Sequence, residues 1–509
     1  MQLSKQNLKN ISSRPGLIVP DERLFSLPER VLQFGTGVLL RGLPDYFIDK
    51  ANRQGVFNGR VVVVKSTVNG GTDEFNEQDN LYTICIKGID NGKKIEEFII
   101  NSCISRVVSA NEDWNSILQC AANPELRIII SNTTEVGITL TEDNIKWSPP
   151  KSFPGKLLSF LYERYKIFNG SKHAGLVIIP TELIPDNGSK LLSIVVDLAK
   201  INNLEETFFN WLQSANHFCS SLVDRIVPGK LEHDDKINEE GKLGYEDELM
   251  IMAEPFRLWA IESGDEEVKR ILSFTQADEG VVVDPDIEKF RELKLRLLNG
   301  VHSLSCGLAF LGGFKTVREA MDDPLMASFI YNMSMHEVAV AMSNGKISYN
   351  EACDFAIKVI DRFRNPFIDH QWLSITVQYS SKMKMRTMPL LMRHYHRYSY
   401  TPEYMALGFA AYLLFMKCTN ENGSYVGLTN STTYPVHDDH AAYFAELWKH
   451  KTADQLVDSV LADNRFWESD LTSLNGFAGA VKRELHVLMQ EGVAAALRNV
   501  TLNKTTVPS

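Results

Sequence analysis

Val31-Leu32-Gln33-Phe34-Gly35-Thr36-Gly37-Val38-Leu39-Leu40-Arg41-Gly42 opens as a strand and runs on into a helix-compatible stretch through Asp45, Tyr46, Phe47 and Ile48. The glycines at 35 and 37 allow a tight turn and the close approach of a pyrophosphate to backbone N–H groups at a helix start. Candidate contacts to a dinucleotide are therefore Phe34, Gly35, Thr36, Gly37 and Arg41. A third glycine is expected near position 40, which is Leu40, so the same text also fits an ordinary strand-to-helix turn. Val61–Val64, Arg127–Ser131 and Gly175–Pro180 are further strand candidates. Such continuous apolar runs suit strands covered on both faces, as in a doubly wound, mostly parallel α/β sheet.

In such a sheet the second strand often ends on an acid that binds the adenosine ribose. Here Val61–Val64 runs into Lys65, Ser66 and Thr67, which leaves NAD against NADP open. After Arg127–Ser131 comes Asn132-Thr133-Thr134-Glu135-Val136-Gly137. A small polar turn at a strand's carboxyl end either presents groups to a cofactor or caps the next helix, so Asn132, Thr133, Thr134 and Glu135 are the remaining cofactor candidates.

The chain has 509 residues, of which 44% are apolar, so at least two domains are expected. Its 64 acidic against 53 basic residues leave a net charge of −11, which argues against nucleic acid as a partner. Apolar runs such as Phe98–Ile100 fall far short of the roughly 20 residues that span a bilayer, so no membrane partner is expected. The polar N-terminus shows no signal-peptide pattern, and seven scattered cysteines contain no CxxC pair. Both point to a cytoplasmic protein with reduced thiols.

Beyond Pro285 the texture turns to helical spacing, over Ile287–Leu311, Leu325–Met342, Tyr349–Phe363, Pro402–Met416, His440–Trp448 and Leu474–Arg498. This divides the chain into an α/β domain over 1–285 and a mainly helical domain over 286–509, with a ligand cleft expected between them. The first helical segment carries Lys294, Asn299 and His302. At about 100° per residue these offsets fall near 0°, 140° and 80°, on one broad face. Burial would lower the lysine pKa toward neutrality and make it a usable proton carrier, while the amide and imidazole address an oxygen. Read in isolation, the same residues also fit a surface lysine, an asparagine at a kink beside Gly300 and a core histidine.

Lys-x4-Asn-x2-His, within KLRLLNGVHS, resembles the catalytic signature of the polyol-specific long-chain dehydrogenases, the mannitol dehydrogenase family. QFGTGVLLRG, SLVDRIVP at 221–228, AEPFRLW at 253–259 and RFRNPF at 362–367 extend the resemblance over most of the chain. FNEQDNLYT at 75–83, SNTTEVGI at 131–138, FPGKLLSFLYERY at 153–165 and IIPTELIPDNG at 178–188 are similar to its tagaturonate reductase branch. The resemblance implies a Rossmann-like N-terminal domain, a mainly helical C-terminal domain, NAD(H) as cofactor and no catalytic metal. It makes Lys294 the general acid/base, with Asn299 and His302 polarising the reacting oxygen, and sets Asp224 near the substrate. Glu182-Leu183 stands where mannitol dehydrogenases have Asp-Asn, which shifts the pocket away from mannitol and makes Glu182 a substrate-binding candidate.

A small sugar-acid substrate carries a carboxylate that needs cations once desolvated. Lys382, Lys384 and Arg386 are three cations at alternate positions; Lys382 with Arg386 is the expected holder, and a solvated basic face is the alternative. His370 is a further pocket candidate. His437-Asp438-Asp439-His440 has metal-like composition, but acids after Pro435 more simply cap a helix, and no metal is expected. The alternatives to a sugar-acid dehydrogenase are a fructuronate or mannitol-type polyol dehydrogenase and a non-catalytic NAD-binding protein. The sequence does not fix an oligomeric state.

Overall fold

Alternate residues of the β-branched runs face opposite sides of a single sheet, and both sides are covered. In the computed structural model, residues 1–67, 72–133, 137–429 and 432–503 are described. The chain divides into two units, Met1–Gly88 with Lys94–Ile287 and Ile89–Lys93 with Glu288–Ser509.

The first unit is built on β1 (Glu29–Phe34), β2 (Arg60–Lys65), β3 (Ile104–Ser109), β4 (Ile128–Ser131), β5 (Val177–Pro180) and β6 (His217–Phe218). They are all parallel, in the order β3-β2-β1-β4-β5-β6 of a doubly wound dinucleotide-binding sheet. Val31, Val61, Val63, Ile128, Ile130, Val177 and Ile179 pack on one side with the helix Pro44–Arg53. Leu32, Phe34, Val62, Val64, Ile129 and Ile178 pack on the other with Phe153–Ile167, Asn187–Ile201 and Glu206–Ala215. Each such side chain, wholly buried, contributes roughly 1.5–3 kcal/mol. Two smaller sheets that the periodicity does not reveal complete this unit. One pairs Leu17–Ile18, Lys93–Asn101, Tyr82–Asp90 and Ile251–Ala253, and the other pairs Ser221–Asp224, Leu258–Glu262 and Val281–Asp284.

Beneath the turn that follows β1, Asp45 is fully buried, and Gln33 Nε2 links its Oδ2 (3.3 Å) to the Gly35 carbonyl (3.4 Å). Burial lifts this carboxyl from 3.8 to about 7. Between those values the folded chain holds a proton that the unfolded chain has released, so this group's stability contribution falls as pH rises through the window and levels off above it. The penalty is on the order of 4 kcal/mol at most. Asp45→Asn is expected to flatten that slope, so thermal melts should show a higher Tm than the parent at pH 8 and little difference at pH 4.

The second unit is helical as expected, with a finer grain. The long helix resolves into Glu288–Leu293, a π-helical segment Lys294–Gly300 and the α-helix Val301–Leu311. Further π segments occur at Ser334–Val338 and Met383–Thr387. Val301–Leu311 packs closely on Glu403–Phe415, because a Cβ on Gly408 would lie 2.6 Å from the Leu304 carbonyl oxygen. The expected helix over Leu474–Arg498 is broken at Glu491 and Gly492 into Phe477–Gln490 and Val493–Asn503. A small antiparallel meander, Cys418–Glu421, Ser424–Leu428 and Thr433–Pro435, interrupts the helical pattern. Among the described residues no helix is long and apolar enough to cross a membrane.

Candidate active site

In the first unit, the turns after β1 and β4 emerge side by side where the strand order reverses. Gly35 N donates to Val64 O (3.0 Å), and Asn132 N donates to Phe34 O (3.2 Å). Gly35 has φ +129°, and a Cβ there would meet Leu40 Cδ1 at 2.9 Å and Asn132 O at 3.2 Å. Leu40, standing at the third glycine position, thus fills the space that makes Gly35 obligatory. Thr36 is half-buried, and Gly37 is exposed with nothing within 4 Å of its added Cβ. Open space over backbone at a sheet's switch point is what a pyrophosphate requires, so the residues present fit a dinucleotide. Phe34 lies beneath, packed on Phe153 at 5.2 Å between ring centroids.

Asn132 Nδ2 bonds Thr181 Oγ1 at 3.0 Å, and Thr133 N donates to Glu182 Oε1 at 2.8 Å. Thr134 and Glu135 lie outside the described residues. Glu182 is buried and also accepts from Ser131 Oγ and Thr133 Oγ1, so its carboxylate organises the turn. Burial pushes its carboxyl up, against hydrogen bonds that pull it down. Arg41 takes a different place from the one expected. It is buried, donates to Leu249 O (2.7 Å) and stacks over Tyr82, because the turn of helix that carries it faces the core. Asp224 ends the strand Ser221–Asp224 as a buried residue of the same unit. Lys65 Nζ is engaged by Thr67 O at 2.8 Å.

In the second unit, the π segment changes the geometry of the lysine motif. Its i→i+5 pairing sets residues five apart one turn from each other, so Lys294 and Asn299 stand in a row instead of about 140° apart. Both are half-buried, whereas His302, one turn on, is 8% exposed. His302 stacks on Phe363 (4.2 Å, 25°) and meets His370 edge-on at 5.2 Å. Its Nε2 is buried with no hydrogen-bond partner among the described residues. Burial first, then the charges of His370, Arg362, Arg386 and Lys382, push its pKa well below the usual histidine range. The ring is therefore neutral and holds one unused hydrogen-bonding nitrogen.

Lys382 and Arg386 reach the same place. Arg386 Nη1 donates to Ser303 Oγ at 3.3 Å, and Lys382 Nζ donates to Ile375 O at 2.9 Å. Burial and the Arg386 charge push the Lys382 ammonium down, and burial lowers the Arg386 guanidinium. Burial and the charges of Lys382 and Arg362 likewise lower His370. Lys384, between the two cations in sequence, instead pairs with Glu468 at 2.8 Å. Lys382 and Arg386, the pair named from the sequence, thus lie four residues apart with Lys384 turned to a different partner. Asp438 accepts from the N–H groups of Ser380 and His440, and no group of three metal-ligating side chains occurs among the described residues.

Residues 29–271 match the mannitol dehydrogenase Rossmann domain and residues 286–489 the mannitol dehydrogenase C-terminal domain. Altronate oxidoreductases of Halalkalibacterium halodurans and Bacillus subtilis are 36% and 37% identical to the chain. These alignments cover 93% of both chains in the first case, and 92% of this chain and 95% of the relative in the second. The chain belongs to the mannitol dehydrogenase family. It is an oxidoreductase, and its fold is shared with D-sorbitol dehydrogenase in substrate-free form (TM-score 0.77, 20% identity, 98% and 100% covered). It is also shared with Pseudomonas fluorescens mannitol 2-dehydrogenase in ternary complex with NAD and D-mannitol (TM-score 0.64, 22% identity, 99% and 100% covered).

Two features of this mannitol dehydrogenase family member escape the sequence reading. Asn187 is fully buried, donates to the carbonyls of Pro180, Glu182 and Ser221, and accepts from Ser221 N, joining β5 to the strand that ends at Asp224. Its place just before Gly188 at a helix start is a signal, but one that also fits a plain cap. Arg362 is buried and lends charge to His302 and His370. RFRNPF contains it without indicating which arginine turns inward.

Proposed function

We propose that the chain interconverts D-tagaturonate and D-altronate with NAD(H), using Lys294 as general acid/base, within hexuronate breakdown in the cytoplasm. Two partly buried cations that form no ion pair among the described residues, Lys382 and Arg386, beside a neutral histidine with an unused nitrogen, carry this reading. The pair suits the carboxylate of a sugar acid, and the imidazole suits its reacting oxygen. The relatives' name, altronate oxidoreductase, supports the same substrate. The Gly35–Gly37 turn would hold the pyrophosphate of a nicotinamide dinucleotide, which would supply or accept the hydride when bound. Lys294 gives a proton to the substrate oxygen as the alcohol forms and takes it back in the reverse direction. Asn299 donates a hydrogen bond to that oxygen. His302, kept neutral by burial and its cationic neighbours, positions the oxygen without competing for the acid role.

The test is nicotinamide absorbance with NADH or NADPH against tagaturonate, fructuronate and fructose, with and without chelator. Chelator-resistant oxidation of NADH by tagaturonate is the expected result; turnover only with another ketose would move the substrate, and NADH binding without any turnover would leave a non-catalytic protein. The turn makes its own prediction. Gly35→Ala combines a strained φ with the Leu40 contact and is expected to weaken NADH binding by roughly tenfold or more, measured by fluorescence titration.

A further inference from the structure

Arg296 lies between Lys294 and Asn299 in the chain, yet the chemistry above does not use it. Its side chain is 7% exposed and entirely committed. Nη1 donates to the carbonyls of Met385 (2.6 Å) and Arg386 (3.0 Å). Nη2 and Nε donate to the Glu292 carboxylate at 3.0 and 3.3 Å, and Arg393 joins the same carboxylate at 2.6 Å. Burial alone would raise Glu292, but the hydrogen bonds from Arg296 and Arg393 win and hold it below the usual carboxylate range.

A π segment shifts backbone pairing from i→i+4 to i→i+5, and buried carbonyls displaced by that shift need donors from elsewhere. Arg296, in the first π segment, supplies them to the second. Arg386, in the second, reaches back to Ser303 Oγ (3.3 Å) and the Asn299 carbonyl (3.5 Å). The segment that carries the proton-transfer residues and the segment that carries the anion-holding cation are thus laced in both directions. An apolar residue of similar size would fill the volume but would take the guanidinium from the Met385 and Arg386 carbonyls and leave Glu292 with Arg393 alone.

We propose that Arg296 is a positioning residue: it fixes the backbone from which Arg386 projects, and so sets the anion-holding group in register with Lys294, Asn299 and His302. This rests on the proposed role of Arg386 as carboxylate holder. The full-length enzyme is compared as parent, R296Q, R386Q and the R296Q/R386Q double variant, with NADH and tagaturonate, together with amide hydrogen exchange over residues 383–388. R296Q is expected to raise KM by roughly tenfold or more while kcat changes much less, and to speed exchange in that segment. In the R386Q background the same change should add little further to KM, because both act through one guanidinium. An unchanged KM in R296Q, or effects of the two substitutions that simply multiply, would overturn the proposal. Should R296Q not fold, R296K and E292Q carry the test, with smaller rises in KM and faster exchange expected, and unchanged values overturning it. If the parent itself does not turn over tagaturonate, the functional reading fails separately. The exchange data then decide the lacing: faster exchange supports it and unchanged exchange overturns it.

Discussion

Lys294→Ala is expected to lower kcat by roughly 10²–10⁴-fold, the usual range for losing a positioned general acid. That corresponds to about 3–5 kcal/mol of transition-state stabilisation. Affinity for the nicotinamide cofactor should be nearly unchanged, since the turn that fits it belongs to the other unit. The effect should be large because His302 and the neighbouring arginines cannot take over, and Lys382 is assigned to the substrate carboxylate. His302 is held neutral well below the histidine range, and the guanidiniums of Arg362 and Arg386 do not release protons. Lys294→Arg should therefore fail to restore turnover although it keeps the charge, which separates proton transfer from electrostatics. Stopped-flow absorbance under single-turnover conditions measures the chemical step directly. A variant with near-parental single-turnover rates would remove Lys294 from the reaction.

How far the sequence anticipates this site depends on which physical property each residue expresses. The central sheet is legible because Val31–Phe34, Val61–Val64 and their neighbours are apolar on both faces, a pattern that few alternatives satisfy. Gly35 is legible for the same reason, since a turn at a strand's end leaves its conformation little choice. Arg41 is not, because the motif fixes where its Cα lies and not which way a guanidinium turns, and here it turns to Leu249 and Tyr82. Glu182 stands at the expected strand end, but whether a carboxylate there faces substrate or backbone depends on Ser131 and Thr133, which approach it only in the folded chain. The π segments are the deepest omission. A shift from i→i+4 to i→i+5 over five to seven residues leaves the apolar periodicity of the flanking helix almost intact, yet it decides that Lys294 and Asn299 share a row.

Replacing Lys382 and Arg386 together by methionine is expected to move affinity and stability in opposite directions. Each charge-assisted hydrogen bond to a carboxylate is worth roughly 1.5–3 kcal/mol, so the KM for a sugar acid should rise by roughly 10²-fold or more. A neutral ketose, which has no carboxylate to lose, should be affected far less. Without substrate the same two charges are a burden. Burial is the main cause of the low His302 and Lys382 pKa values, and the two charges add to it: both disfavour protonation of His302, and Arg386 repels the Lys382 ammonium. Removing them should let the His302 pKa climb, read by NMR titration of its ring protons, and should raise the Tm of the ligand-free enzyme. Sites held in readiness for a charged ligand carry this kind of cost until the ligand arrives. A substrate carboxylate bound between the two side chains would cancel the repulsion, so sugar-acid binding should stabilise the parent enzyme more than the variant. An unchanged KM together with an unchanged Tm would show that these cations face solvent rather than substrate.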